Sequence, residues 1–119
     1  MDDAGQFGDG DGGGGVTQGA AAALLERVRF DPEGQPVSTT LMDYLAPTAA
    51  EMCDIDIVHL QTPSRFSETG AKGMGEGGTI GAPAAVLGAI NDALSKANVS
   101  FDHIPVLPQD LSAALGGIW

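Results

Sequence analysis

Glu76 stands in the stretch GAKGMGEGGTIGAP (Gly70 to Pro83), a single carboxylate set among glycines just ahead of an apolar pattern with helical spacing. Glycines let a ligand approach the backbone closely, and the N–H groups at the start of a helix favour an anionic group such as a phosphate or an oxo group. An acid beside those N–H groups repels an anion unless it has a task of its own, such as accepting a proton. The competing reading of Glu76 is a solvated loop acid.

The segment GMGEGG (Gly73 to Gly78) formally satisfies G-x-G-x-x-G, and a helix is expected after it. A dinucleotide fingerprint needs a strand running into its first glycine. The preceding TPSRFSETGAK does not read as a buried parallel strand, so the Rossmann reading fails and only the general properties of a glycine-rich helix start survive. A stand-alone phosphate-binding module built on Gly73 to Thr79 rests on that glycine pattern alone.

The remaining candidates carry less chemistry. His59 and His103 lie far apart, with no second ligand at metal-binding spacing near either, and each reads as a structural histidine. Cys53 has no neighbouring His or basic residue to stabilise a thiolate. GDGDGGGG (Gly8 to Gly15) resembles one imperfect calcium-binding nonapeptide repeat, but such units stabilise one another only in stacks, so a linker is the better reading. Gln18, at a helix start beside Gly19, reads from its surroundings as a solvated polar residue.

The totals bound what these residues can serve. At 119 residues the chain is sized for one modest domain, and its mean hydropathy of +0.07 indicates enough apolar material to fold. Five basic residues against sixteen acidic ones give a formal charge of −11, which repels nucleic acid and anionic membrane surfaces. A lone cysteine excludes an intrachain disulfide and is in keeping with a reducing compartment. With no apolar run of membrane-spanning length and no basic, then apolar leader, a soluble, cytoplasmic chain is expected.

The elements that must position Glu76 follow from pattern. Residues 1–15 are Gly/Asp-rich and predict a flexible segment, and 16–119 the folded part. VTQGAAAALLERVRF predicts a helix from about Thr17 to Val28, with Gly19 as its weak point. FDPEGQPV predicts a tight reversal flanked by Phe30 and Val37, while TTLMDYLAPTAAEM is ambiguous and must break at Pro47. DIDIVHLQ (Asp54 to Gln61) predicts a partly buried strand ended by Pro63. Ile80, Ala84, Leu87, Ile90, Leu94 and Ala97 predict an amphipathic helix with Thr79 as N-cap and Pro83 in its first turn. The last segment predicts a short strand, a Pro-punctuated turn and a helix over about Gln109 to Leu115. The class is α+β, with helices packed on a small sheet.

TPSRFSETGAKGMGEGGTIGAPAAVLGAINDAL (Thr62 to Leu94) closely resembles the C-terminal region of the molybdopterin-binding large subunit of the xanthine dehydrogenase, aldehyde oxidase and aerobic carbon monoxide dehydrogenase family, the molybdenum hydroxylases. VTQGAAAALLE is similar to that family's glutamine-bearing helix start, DPEGQPVSTTLMDYLAPTA to its following turn and strand, and HIPVLPQDLSAAL to its final segment. The resemblance covers most of the chain from Gly14 onward.

The resemblance implies that Glu76 is the catalytic base beside the molybdenum, in an enzyme that hydroxylates an aldehyde, a purine or an N-heterocycle, or oxidises carbon monoxide, with water-derived oxygen. It implies that Gly75, Gly77, Gly78, Thr79 and Ile80 lie along the pterin and that Gln18 faces the cofactor, a molybdenum-molybdopterin in its cytosine dinucleotide form. Electrons are then expected to leave through [2Fe-2S] clusters to FAD on partner chains or domains. Small-molecule substrate, the rest of the large subunit and these redox subunits are the implied partners.

Two departures stand beside the likeness. Family large subunits are several times longer, and MDDAG (Met1 to Gly5) resembles the middle of one, so the chain is expected to be a piece that is inactive alone. The aspartate-glycine run also replaces the family's Asn-Pro and Glu-Gly-Gln elements, which leaves open a non-catalytic, truncated or diverged product that binds no cofactor alone.

Overall fold

The computed structural model describes residues 8–58, 60–73 and 75–116. Its centre is a pair of helices, α1 (Gly8–Leu24) and α2 (Gly77–Leu94), which pack directly on each other. A short 3-10 turn (Ser95–Ala97) extends α2, and α3 (Pro108–Ala114) closes the described chain.

α1 begins nine residues before the start expected from composition, because Gly8 to Gly15 lie in its first turns. Glycine has poor intrinsic helix propensity, so tertiary contact decides the matter. A Cβ placed on Gly15 would lie 3.0 Å from Gly78 Cα, and one on Gly19 would lie 2.6 Å from Ala82 Cβ and 2.9 Å from Pro83 Cδ. The residues that weaken the helix in isolation are the ones that let α2 approach. Gly19 is thus a buried crossing point and not a weak point.

α1 ends at Leu24, earlier than the expected Val28, where the Leu25 and Glu26 N–H groups both donate to Ala21 O. In α2 the cap is Glu76 and not Thr79, and Pro83 lies at the seventh helical position, beyond the first turn. Pro83 has no N–H for Thr79 O, but it fills the crossing against Gly19 instead. The expected reversal is present: Asp31 Oδ1 accepts from Glu33 N–H and Gln35 N–H, Gly34 takes φ +84°, and Phe30 and Pro36 form an isolated antiparallel bridge.

No strand is present among the described residues. Residues 52–58 run without regular structure and are largely exposed, with Val58 82% and Leu60 90% accessible, so the partly buried strand expected at 54–61 is not formed here. The short strand expected near 99–101 is absent too. The periodicity describes which faces are apolar, whereas a strand also needs a neighbour for its N–H and C=O groups. The small sheet of the expected α+β class therefore has no counterpart among the described residues.

The C-terminal segment is tied to both helices by polar contacts. Asn91 on α2 clasps Phe101 through Nδ2 to its carbonyl (2.9 Å) and Oδ1 from its N–H (2.8 Å). Val106 N–H donates to Ala23 O at 2.8 Å, and Arg27 donates to Pro105 O and to both carboxylate oxygens of Asp110. Asp110 also accepts from Leu107 N–H, closing the start of α3.

The Arg27 guanidinium foremost, then the Leu107 N–H, hold the Asp110 carboxyl below the usual aspartate range. A lowered folded-state value means that the unfolded chain binds the proton more readily. The contribution is therefore whole above about pH 4, the ordinary aspartate value, and is lost as pH falls through the folded value. Asp110→Asn is expected to lower the melting temperature by a few degrees at neutral pH, and melting curves recorded toward pH 2 should bring the two proteins together. Equal curves at neutral pH would show that the clasp contributes nothing.

The buried apolar core among the described residues is small: Ala21, Ala23, Ala82, Val106 and Leu107. The radius of gyration is 18.4 Å, against about 13.5 Å for a compact domain of this length. The accessible surface is 9349 Å², where a folded monomer of this mass exposes roughly 6,000 Å². Leu41, Met42, Val58, Leu60, Phe66 and Ile80 are each more than three-quarters exposed.

Candidate functional site

The glycine segment reaches α2 through a closed loop. Ser64 N–H donates to Gly70 O (2.8 Å), Ser67 Oγ to Ala71 O (2.9 Å) and Lys72 Nζ to Thr62 Oγ1 (2.8 Å). Gly70, at φ +74°, packs its backbone on Pro63, 3.2 Å from the place a Cβ would take. Nothing strand-like precedes Gly73, so the dinucleotide pattern is a coincidence of spacing.

Gly75 adopts φ +49°, in the left-handed region, and turns the chain into Glu76 at φ −96°, ψ 31°. Glu76 is the N-cap of α2, but its carboxylate does not cap the helix: no side-chain cap hydrogen bond is made there. Its carbonyl does the local work, accepting from Thr79 N–H (2.9 Å) and Ile80 N–H (3.2 Å). An exposed carboxylate is thus held beside the first N–H groups of α2, at Gly77 and Gly78, which have no partner within the helix.

The contrast with Asp110 is instructive. That acid also stands at the start of a helix, yet its oxygens are taken by Arg27 and Leu107 N–H. Glu76 has the position of a structural acid, but among the described residues its carboxylate makes no such bond.

The two glycines just ahead of Glu76 are not explained by packing among the described residues. A Cβ on Gly73 or on Gly75 would meet nothing within 4 Å. Packing therefore does not require glycine at Gly73, and at Gly75 only the backbone conformation does. These residues lead into the α2 N-terminus as an uncovered glycine segment, with Ile80 78% exposed on the first turn.

Gln18 is exposed on α1, and its neighbours on that helix face the same turn of α2: Gly15 against Gly78 and Thr79, Gly19 against Thr79, Ala82 and Pro83. The structure thus brings the Gln18 turn of α1 to the segment carrying Glu76, Gly77, Gly78, Thr79 and Ile80. Sequence reasoning missed Gly15 and Gly19 as the surface that sets this crossing; the Gly-x-x-x-Gly spacing, opposite Gly78 and Ala82, was the available signal.

The other candidates lie elsewhere. His103 is exposed, in edge contact with Phe101 at 5.8 Å between ring centres, and its Nδ1 is 3.2 Å from Asp102 Oδ1. Cys53 is exposed. His59 lies outside the described residues, among which no group of three His, Cys, Asp or Glu side chains is placed to hold a metal ion. A groove of about 260 Å³ lined by Leu25, Arg27, Met42 and Leu107 is remote from Glu76 in the chain and does not include it. No described helix is long and apolar enough to cross a membrane.

Comparison with known proteins gives the class to which this helix pair and its glycine segment belong. Residues 7–53 match the family model of the molybdopterin cofactor-binding domain. The chain belongs to the family of molybdopterin-binding large subunits of the molybdenum hydroxylases.

It is 42% identical, over 88% of its length, to the nicotine 6-hydroxylase large subunit of Paenarthrobacter nicotinovorans, and 36% identical, over 77%, to the carbon monoxide dehydrogenase large chain of Hydrogenophaga pseudoflava. It spans 13% and 12% of those relatives. Its fold is similar to quinoline 2-oxidoreductase from Pseudomonas putida 86, with a TM-score of 0.88, 44% identity, and coverage of 92% of this chain and 14% of that one. The Cu,Mo-dependent CO dehydrogenase gives a TM-score of 0.87 at 29% identity, covering 97% of this chain and 15% of that one. The extended, exposed segments of the chain thus share the path of their counterparts in much larger subunits.

Proposed function

We propose that this chain forms the C-terminal part of the cofactor site of a molybdenum hydroxylase, with Glu76 as catalytic base. The observation that carries the reading is Glu76 itself, an acid at the N-cap of α2 whose carboxylate makes no side-chain cap hydrogen bond. The open space at Gly73 and Gly75 is the local test of fit, and it suits a bulky group bearing oxygen atoms: Gly75, Gly77, Gly78, Thr79 and Ile80 would line this glycine cradle, and Gln18 would face it from α1. The group is a molybdenum-molybdopterin, in its cytosine dinucleotide form.

When bound, that cofactor supplies the two-electron acceptor for oxidation of the substrate carbon. This chain's own contribution is to bind and to move a proton. The N–H groups of Gly77 and Gly78 offer donors to anionic oxygens, and the glycines keep side chains out of their way. Glu76 accepts the proton released as water-derived oxygen is transferred.

The radius of gyration, the large accessible surface and the exposed apolar residues support a chain whose remaining partners lie in the same large subunit. Iron–sulfur and FAD-bearing subunits are proposed as the electron acceptors, in the cytoplasm. Residues 16–119 are the proposed cofactor-binding segment, with 1–15 leading into it. Because similar proteins are named for nicotine and quinoline at the higher identities, an N-heterocycle is the favoured substrate class over an aldehyde, a purine or carbon monoxide.

Gel filtration with molybdenum analysis tests the reading on the isolated chain. The expected result is self-association through the exposed apolar faces, no stoichiometric molybdenum and no turnover. A monomer that retained the metal and turned over an N-heterocycle would defeat the proposal that the rest of the subunit is needed.

A further inference from the structure

The glycines fall into two groups by what surrounds them. A Cβ on Gly14, Gly73, Gly75, Gly81 or Gly88 would meet nothing within 4 Å, whereas one on Gly15 would lie 3.0 Å from Gly78 Cα, 3.0 Å from Thr79 N and 3.1 Å from the Gly78 carbonyl carbon. All three are backbone atoms, so no rotamer change relieves the overlap. One of them has a particular role: Thr79 N–H donates to Glu76 O at 2.9 Å, the bond that closes the first turn of α2 and fixes the cap residue.

α1 has little room to retreat. Ala21 and Ala23 are fully buried, Val106 N–H is bonded to Ala23 O, and Gly19 is already in tight contact with Ala82 and Pro83. On the other side of the first turn of α2 Gly77 and Ile80 are exposed in this chain, so displacement of the turn would be toward the space proposed for the cofactor. Bulk added at Gly15 therefore displaces the turn that carries Glu76.

From this chain of contacts we infer that Gly15 is a positioning residue for Glu76, setting through Thr79 N–H where the carboxylate stands relative to the reacting atoms. The inference rests on the reading of Glu76 as the base. It assigns a role to the glycine-rich start of α1 that composition alone presents as a linker.

The test compares Gly15→Ala with Gly14→Ala in the complete molybdenum enzyme, since both make the same change in helix propensity and, within this chain, only the first meets backbone. Gly15→Ala is expected to lower kcat per bound molybdenum by roughly fivefold to tenfold, less than the ~10²-fold of a 1 Å misplacement because the overlap asks for a shift of only a few tenths of an ångström. KM should change little, the acid limb of the kcat pH profile should shift, and a crystal structure should show Glu76 displaced. Gly14→Ala should stay within about twofold of the unaltered enzyme.

Equal losses from both variants, or an unchanged kcat per molybdenum in Gly15→Ala with α2 in place, overturn the inference. So does a Gly15→Ala enzyme that loses only protein yield or metal while kcat per molybdenum and the pH profile stay as they were. Should Gly15→Ala fail to accumulate, hydrogen exchange in the unaltered holoenzyme decides: the Thr79 and Ile80 amides should exchange as slowly as those in the middle of α2, and rapid exchange contradicts the role. Turnover retained by Glu76→Gln would defeat the assignment of the base alone, while the displacement and the exchange pattern would still report on Gly15.

Discussion

Glu76→Gln in the assembled enzyme is expected to lose roughly 10²- to 10⁴-fold in turnover, the range spanned by general bases, while molybdenum content per chain stays close to that of the unaltered protein. The amide keeps the size and the exposed place of the carboxylate but accepts no proton at neutral pH. Because Glu76 makes no side-chain cap and holds its helix only through its carbonyl, the substitution leaves the hydrogen bonds from Thr79 and Ile80 intact. Stability should therefore be unchanged, which separates this variant from one that merely unfolds the site. Steady-state rates normalised to molybdenum measure the effect, and near-normal turnover refutes the assignment.

The second large effect is expected at the helix crossing. Gly19→Leu forces a branched side chain where even a Cβ would lie 2.6 Å from Ala82 Cβ and 3.2 Å from Thr79 O. Overpacking of this kind costs roughly 3 kcal/mol or more where the surroundings cannot give way, and here one neighbour is a proline ring within a helix. α1 and α2 would separate, and the Gln18 turn would leave the cradle. Thermal melting and metal analysis should show a less stable subunit that has lost molybdenum; a variant with unaltered melting and full metal would mean that the two helices do not need this approach.

These two sites differ in how readily the sequence discloses them. Glu76 is singled out as an acid among glycines before an amphipathic pattern, but that pattern leaves a solvated loop acid open and only the family resemblance implies a base, whereas the reversal at Phe30 to Val37 is legible because Asp31, Pro32 and Gly34 act locally. α3 is legible from Pro108 and Asp110 for the same reason. Gly8 to Gly15 are misread because helix propensity is a local quantity, and their helix is imposed by α2, more than sixty residues away along the chain.

The strand expected at 54–61 fails in the opposite way. Its alternation of Ile55 and Ile57 is real, but pairing is a property of two segments, and none of the described residues supplies the second. We propose that the remainder of the large subunit does so. The exposed Val58 and Leu60 are what such an unpaired, uncovered segment presents.

The central claim is that Glu76 and its glycine cradle belong to a working molybdenum site completed by the rest of a large subunit. Its most direct measurement is the molybdenum-to-chain ratio of the protein purified under native conditions, together with the size of the assembly that carries it. The expected result is a ratio near one in a complex several times larger than this chain, and none in the chain stripped of its partners. A monomeric chain, free of molybdenum and of any larger partner in its natural source, would contradict it.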